Sequence, residues 1–120
     1  KLLTKKMAEH HSRCWLLNTG WIAGGATQSG RIKIKWTRAL LNAALEGRLD
    51  DADFQTDPRF GFAIPQSCPE VPSKILNPRD TWEDPAAYDT QANQLAAMFR
   101  DNFEPFAADT PEPIRNAGPR

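Results

Sequence analysis

The segment Arg31-Ile-Lys-Ile-Lys-Trp-Thr37-Arg-Ala-Leu-Leu does most to decide the fold expected for this chain. Polar and apolar residues alternate along its first six positions. That period of two predicts a half-buried strand, because alternate side chains of a strand point to the same face. The residues predicted to share the buried face are Ile32, Ile34 and Trp36.

The residues after this predicted strand change to a helical period. Thr37 stands at the change and is predicted as the N-cap of a helix, a role worth about 1 kcal/mol relative to alanine. Gly47 follows the last apolar position, where glycine commonly ends a helix. The apolar residues at helical spacing are Leu40, Leu41, Ala44 and Leu45. The segment therefore predicts a strand that leads directly into a capped helix.

Upstream, the sequence predicts a helix, a strand and a loop, in that order. The helix should end near His10, and its apolar face is formed by Leu2, Leu3 and Met7. The run Cys14-Trp-Leu-Leu is apolar on both faces, which is typical of a buried strand in an α/β sheet. From Gly20 to Gly30, four glycines stand among small and polar residues. This composition predicts a loop.

Downstream, residues 54–64 are predicted to be extended, with a break at Asp57-Pro58. Prolines recur from Pro65 to Pro78, so this segment is predicted to wrap irregularly over the core. Asp84-Pro85 predicts a helix start, an N-cap followed by proline at the first helical position. The apolar stripe of that helix is Tyr88, Ala92, Leu95, Phe99 and Phe103. Residues 1–106 then form one unit, and residues 107–120 are predicted to be a flexible tail.

The composition narrows the classes of function. The 120 residues carry 15 basic and 15 acidic side chains. Zero net charge argues against a nucleic-acid partner, which would require a basic excess. No apolar run approaches the roughly 20 residues that span a bilayer, so no membrane partner is expected. Cys14 and Cys68 are too few for a disulfide scaffold, which predicts reduced thiols in a cytoplasmic protein. Because the chain begins at Lys1 and not at Met, an upstream part is expected.

The glycine-rich loop and its flanking residues are the main candidates for a ligand site. Glycine allows the backbone to approach a ligand closely, although the loop has neither Walker A nor GxGxxG spacing. A guanidinium at Arg31 is suited to stacking on a base or holding a phosphate, and Thr37 offers a hydroxyl group. The residues alone leave simpler alternatives open: a flexible connection, an exposed charge at a strand end and a helix cap.

Other polar residues favour structural roles. Adjacent residues of a helix point apart, so His10 and His11 are expected to be solvated and not to share a metal ion. The carboxylates cluster at turns and helix starts, where capping and the helix dipole favour them. No Ser–His–Asp or Cys–His arrangement is evident. We therefore expect no catalytic residue and no metal ligand in this chain.

Five blocks of the sequence share one family resemblance. The blocks are Trp15-Leu-Leu-Asn-Thr-Gly-Trp21, Thr37-Arg-Ala-Leu-Leu-Asn-Ala-Ala-Leu45, Asp57-Pro-Arg-Phe-Gly-Phe62, Ser67-Cys-Pro-Glu-Val-Pro72 and Asn77-Pro-Arg-Asp-Thr-Trp82. In this order they resemble the C-terminal part of the ATP-dependent phosphoenolpyruvate carboxykinases. The later run from Leu95 to Phe103 also fits, so the resemblance covers nearly everything up to Phe106.

The resemblance implies an α/β fold, the C-terminal part of a nucleotide-binding lobe with a mixed sheet and flanking helices. It implies a part in converting oxaloacetate and ATP to phosphoenolpyruvate, carbon dioxide and ADP, a gluconeogenic step that uses Mg²⁺ and Mn²⁺. The family's contacts to ATP on the adenine side match Arg31, Ile32 and Thr37 here. The family's phosphate loop, metal ligands and oxaloacetate-binding arginine lie upstream of this region. The chain is therefore expected to be a fragment that is inactive alone.

Two departures from the family pattern fall on the loop beside Arg31. Ser29-Gly30-Arg31 stands where the family usually has Gly-Lys-Arg, so the lysine is missing. Residues 22–29 also differ from the usual Thr-Gly-Gly-Pro-Tyr-Gly pattern. A second hypothesis, from another functional class, is a stand-alone nucleotide-binding or interaction module derived from the same lobe. A start codon near Lys1 would favour that module, and a reading frame that continues upstream would favour the enzyme.

Overall fold

Helices and two small sheets make up the regular structure of the chain in a computed structural model that describes residues 2–24 and 30–120. In chain order the elements are α1 Leu2–His10, β1 Trp21–Ile22, β2 Gly30–Arg31, α2 Ile34–Leu45, β3 Phe54–Thr56, β4 Ala63–Pro65, a 3₁₀ helix Ser73–Ile75, α3 Pro78–Thr81, α4 Pro85–Ala107 and α5 Glu112–Arg115. Of the described helices, none combines the length and the apolarity that crossing a bilayer requires.

The two sheets are both antiparallel pairs of short strands. In the β1–β2 pair, Trp21 lies opposite Arg31. In the β3–β4 pair, Gln55 lies opposite Ile64, and the turn between these strands includes the predicted break at Asp57-Pro58. The Asp57 side chain accepts hydrogen bonds from two backbone N–H groups of that turn. The α/β class is confirmed, as helices combined with small antiparallel sheets.

The strand predicted over residues 31–36 is wrong beyond Arg31. Helix α2 already begins at Ile34, and its N-cap is Lys33, so Thr37 lies inside the helix and is not its cap. The alternating pattern of residues 31–36 gave the wrong element because its last three residues are equally compatible with the start of a helix. Trp36, Ala39 and Ala43 follow at helical spacing and turn inward, while Ile34 is left 73% exposed.

The buried strand predicted at Cys14–Leu17 is also wrong. These residues belong to no strand, and Leu16 is 75% exposed. A strand requires a neighbour whose backbone N–H and C=O groups can pair with its own, and no neighbour pairs with residues 14–17 within the described part of the chain. The Trp15 ring lies 6.1 Å from that of Phe54, and Arg13 forms an ion pair with Asp50.

The core lies between α2 and the proline-rich segment 65–78. Its buried residues are Ala39, Ala43, Leu49, Cys68 and Val71, with Leu40, Ala44, Ile75 and Leu76 packed around them. The prediction that residues 65–78 wrap over the core is confirmed. Burial raises the pKa of the Cys68 thiol, which keeps it protonated at neutral pH.

A local signal, the glycine at position 47, ends helix α2. Gly47 has a φ of +72°, the left-handed conformation that glycine adopts without steric cost. The N–H of Arg48 donates to the carbonyl of Ala43 over 2.9 Å, the bond that characterises a Schellman C-terminus. The predicted role of Gly47 is confirmed.

The long helix α4 begins as predicted at Asp84-Pro85. Asp84 is the N-cap, and its side chain accepts a hydrogen bond from the N–H of Ala86 over 2.8 Å. Ala92 and Ala96 are its buried residues. Beyond α4 the chain forms the short α5, and the N–H of Arg120 donates to the carbonyl of Arg59 over 2.8 Å. The flexibility expected of residues 107–120 stays a prediction.

Candidate functional site

The end of strand β2 holds two of the predicted ligand-binding residues in different environments. Arg31 is exposed and lies opposite Trp21 across the β1–β2 pair. Ile32 follows it and is buried, and its backbone N–H donates to the carbonyl of Gly20 over 2.9 Å. Ile32 is therefore anchored to the start of β1, while the guanidinium of Arg31 is open to a ligand.

The side chain of Asn18 shapes the entry to this pair of strands. Its Oδ1 accepts a hydrogen bond from the N–H of Gly20 over 2.8 Å. Its Nδ2 donates to the carbonyl of Trp21 over 3.2 Å. Asn18 thus fixes the backbone that in turn holds Ile32. Asn18 is not among the residues predicted for the site, although asparagine commonly forms such side-chain bonds to nearby backbone.

The glycine-rich loop leaves β1 in an unusual backbone conformation. Ala23 has a φ of +67°, which is uncommon for a residue with a Cβ. Its N–H donates over 3.1 Å to the Oγ1 of Thr81, in α3. The Thr81 hydroxyl donates to the carbonyl of Pro78 over 2.7 Å. This link between residues 58 positions apart had no signal in the sequence. The rest of the predicted loop, residues 25–29, lies outside the described residues.

Thr37, the third predicted residue, lies in the first turns of α2 and is half-buried. Its N–H donates to the carbonyl of Lys33 over 3.2 Å, as expected for a residue already inside the helix. The structure therefore places Arg31 and Ile32 side by side at the end of β2, and Thr37 just beyond, at the start of the following helix. Only two residues, Ile32 and Lys33, separate β2 from α2.

The same segment is strongly basic. Arg31, Lys33, Lys35 and Arg38 lie within eight residues, and no acidic residue occurs from 30 to 45. The ammonium groups of Lys33 and Lys35 lie 5.0 Å and 5.7 Å from the centre of the Trp36 ring, distances at which cation–π attraction operates. A concentration of one charge sign raises the local concentration of ligands of opposite charge. This segment therefore favours an anionic ligand.

The described residues provide no metal site. Within residues 2–24 and 30–120, no three side chains of histidine, cysteine, aspartate or glutamate lie close enough to hold a metal ion together. His10 and His11 are both exposed. Metal chemistry therefore has no ligand set in this part of the chain.

A second polar cluster joins the β3–β4 hairpin to α3 and α4. The guanidinium of Arg79 donates two hydrogen bonds to the carboxylate of Asp89, over 3.0 Å and 3.1 Å. Arg59 forms an ion pair with the same carboxylate at 2.9 Å and donates to Oδ1 of Asn93 over 2.7 Å. The hydrogen bonds from Arg79 lower the pKa of Asp89 below its ordinary value, because they stabilise the charged carboxylate.

A shallow cleft of about 230 Å³ opens beside this cluster. Tyr88 lines it, and burial, with the nearby carboxylate of Asp57, raises the pKa of the Tyr88 phenol. The two arginines at its wall, Arg59 and Arg79, are already bonded to Asp89. Their charges are thus used in holding α3, α4 and the hairpin together, and the cluster is best described as structural.

Comparison with known proteins gives this chain a family. A family model described as phosphoenolpyruvate carboxykinase matches residues 1–74. Three similar proteins are each named phosphoenolpyruvate carboxykinase (ATP). That of Pelobacter propionicus is 52% identical over 117 residues, that of Brucella anthropi 52% over 118 and that of Rubrobacter xylanophilus 48% over 118.

Each of these alignments covers 98% of this chain and 22% of the relative. The chain thus spans about a fifth of the length of the curated relatives it matches. The similarity continues through α4, beyond the residues that the family model matches. On both the family model and the relatives, the chain belongs to the family of ATP-dependent phosphoenolpyruvate carboxykinases.

Proposed function

We propose that this chain is part of an enzyme that converts oxaloacetate and ATP to phosphoenolpyruvate, carbon dioxide and ADP, a gluconeogenic step. The proposal rests on membership of the family and on the name that the relatives share. We further propose that Mg²⁺ and Mn²⁺ serve the reaction and that it takes place in the cytoplasm, which the two free cysteines favour. Oxaloacetate and metal would be bound by residues outside these 120.

Within that enzyme, we propose that Arg31, Ile32 and Thr37 bind ATP on its adenine side. The observation that carries this is the exposed guanidinium of Arg31 next to an anchored Ile32. A planar guanidinium stacks well on an aromatic base, and Ile32, buried next to it and bonded to Gly20, fixes the backbone from which that guanidinium projects. The Thr37 hydroxyl is suited to hydrogen bonding with the nucleotide. The lysines at 33 and 35 favour the approach of a polyanion.

The chemistry that this chain contributes is then binding and orientation of the nucleotide. Holding ATP in one position turns the encounter with a second substrate into a reaction between neighbours. Since the described residues provide no metal site, we assign no step of phosphoryl transfer to them. A divalent ion held elsewhere in the enzyme would neutralise charge on the phosphates.

The test is ATP affinity, measured by titration calorimetry on a full-length enzyme that contains this sequence. Arg31→Ala should weaken ATP binding by roughly 1–3 kcal/mol, the range for losing a charge-assisted contact. Thr37→Ala should weaken it less, because it removes one neutral hydrogen bond. Oxaloacetate affinity should be unchanged in both. Arg100→Ala, which removes an exposed arginine of α4, is the matched control and should have no effect.

Unchanged ATP affinity in Arg31→Ala would mean that this residue is only an exposed charge at a strand end. The alternative function, a stand-alone nucleotide-binding or interaction module, makes a different prediction. Such a module would bind ATP as the 120-residue chain alone, and its affinity would not increase when the rest of a family member is present. The proposed enzyme requires that increase.

A further inference from the structure

Helix α2 has two opposite apolar faces, of which the described residues 2–24 and 30–120 bury only one. The inner face, Ala39 and Ala43, is buried in the core. The second face, called here the outer face, consists of Ile34, Leu41 and Leu45. These residues are 73%, 46% and 77% exposed. At about 100° per residue, their spacings of seven and four place all three within about 40° of one direction, opposite Ala43.

Such a helix differs from the usual surface helix. A surface helix turns one apolar stripe to the core and polar residues to water, whereas a helix that is apolar on two sides is typical of a buried one. Three of the four polar residues of α2, Lys35, Arg38 and Asn42, form a narrow stripe along one side of the outer face, and Thr37 lies on its other side. Within the described residues, the outer face stays largely exposed.

Two further observations indicate what covers the outer face. The described part of the chain contains no large side chain that is fully buried, so these residues do not complete a core of their own. The curated relatives are also far longer, since this chain matches 22% of their length. We propose that the outer face of α2 is the contact surface for the part of a phosphoenolpyruvate carboxykinase that lies outside these 120 residues.

The charges beside the outer face argue against a second copy of the chain as the occupant. An antiparallel pairing of two outer faces around a twofold axis would place Lys35 and Arg38 of one copy on the same side of the interface as the same residues of the other. Since no acidic residue occurs from 30 to 45, the stripe itself supplies no opposite charge, and facing like charges are unfavourable. A different surface, apolar at its centre and acidic at its rim, would complement both the apolar side chains of the outer face and the cations beside it. The inference rests on family membership and does not depend on the proposed ATP contacts.

The experiment compares one double substitution, Leu41→Glu with Leu45→Glu, in two settings. The first is the 120-residue chain alone. The second is the Pelobacter propionicus enzyme in which this chain replaces its matching segment. In the isolated chain, where the outer face is open to water, the helical circular-dichroism signal should be retained. In the chimera, two buried charges should lower the melting temperature by at least about 5 °C or abolish soluble expression.

Two controls separate this contact from a general effect of substitution. Asn42→Glu adds negative charge on the same helix at its polar stripe, and Leu41→Met with Leu45→Met keeps the outer face apolar. Both should leave the chimera within about 2 °C of its parent. Because the readout is stability, a failure of the proposed ATP contacts would not affect it.

Three results would overturn the proposal. One is a chimera that tolerates both glutamates, which would leave the outer face in water. Another is an equal loss in the isolated chain and the chimera, which would mean that the face packs within this chain. The third is an isolated chain that sediments as a dimer and becomes a monomer on the double substitution, which would make a second copy the occupant.

Discussion

Residues 14–22 and residues 39–49 are similarly rich in large apolar side chains, yet only the second stretch contributes residues to the buried core. Leu49 is 3% exposed, whereas Leu16 is 75% exposed. The difference lies in what each stretch has to pack against. Residues 39–49 meet Cys68 and Val71 from the proline-rich segment of the same chain. For residues 14–22, the described contacts with the rest of the chain are few, such as that between Trp15 and Phe54. Apolar composition therefore supplies the tendency to be buried, and the rest of the chain decides whether burial occurs.

The sharpest test of this contrast is the same truncation in both stretches. Leu49→Ala should lower the free energy of unfolding by about 2–5 kcal/mol, because it removes buried atoms and leaves a cavity. Leu16→Ala should change it by less than about 0.5 kcal/mol, because the side chain is already in water. The measurement is urea unfolding of the isolated chain, followed by circular dichroism, in which loss of the helical signal also counts as destabilisation.

Leu49→Met is the control for this comparison, since it keeps the volume and should cost less than about 1.5 kcal/mol. If Leu16→Ala proved as damaging as Leu49→Ala, the amino-terminal stretch would be packed in solution and the contrast would not hold.

A smaller effect is expected from the two residues that the sequence suggested as helix caps. Asp84 is the N-cap of α4, so Asp84→Ala should cost about 1 kcal/mol of stability. Thr37 lies inside α2, so Thr37→Ala should show no capping loss. Asp84→Asn retains a capping oxygen and should behave almost as the parent chain in the same urea titration. A cost for Thr37→Ala equal to that for Asp84→Ala would contradict the assignment of Lys33 as the N-cap.

The smallest effect is expected from the ion pairs, and it depends on pH. The folded-state pKa of Asp89 lies below its ordinary value of 3.8. Its contribution to stability is therefore fully present above about pH 4 to 5 and is lost as the pH falls through the lowered value. Asp89→Asn should reduce the melting temperature at pH 7, and the two proteins should converge as the pH approaches 2.

The control for Asp89 comes from the amino-terminal region. Glu9 pairs with Lys5 and Lys6 on the exposed surface of α1, and exposed pairs of this kind contribute little. Glu9→Gln should leave the melting temperature unchanged at pH 7. A gap between Asp89→Asn and the parent chain that stayed constant down to pH 2 would show that the network does not depend on the carboxylate charge.

Several of the features that the sequence predicted correctly depend on bonds that reach only a few residues. Asp84 caps the N–H of a residue two positions on, Gly47 ends α2 through its own backbone conformation, and Asp57 organises its own turn. Such bonds form whatever the rest of the molecule does. The predicted strand at Cys14–Leu17 failed because a strand depends on a distant partner, which its own residues do not specify.

The candidate site also has some features that can be predicted from the sequence and others that depend on distant parts of the chain. The order of Arg31, Ile32 and Thr37 along the chain is visible in the sequence, and so is the basic character of the segment. The bond from Ile32 to Gly20 and that from Ala23 to Thr81 depend on tertiary contacts. The boundary between β2 and α2 was misplaced because three alternating residues fit the start of a helix as well as the continuation of a strand.

The small size of Ala39 and Ala43 has a consequence for how the chain tolerates change. Ala43 is fully enclosed, so Ala43→Val would add atoms to a buried position, and we expect α2 to shift outward to accommodate them. Thr37 belongs to the same helix and would move with it. Ile32 lies outside the helix, and its backbone N–H is bonded to the carbonyl of Gly20. The size of the side chain at position 43 therefore helps to set the distance between Ile32 and Thr37, the two proposed nucleotide contacts. A substitution in the core can change the geometry of the site without contacting the ligand.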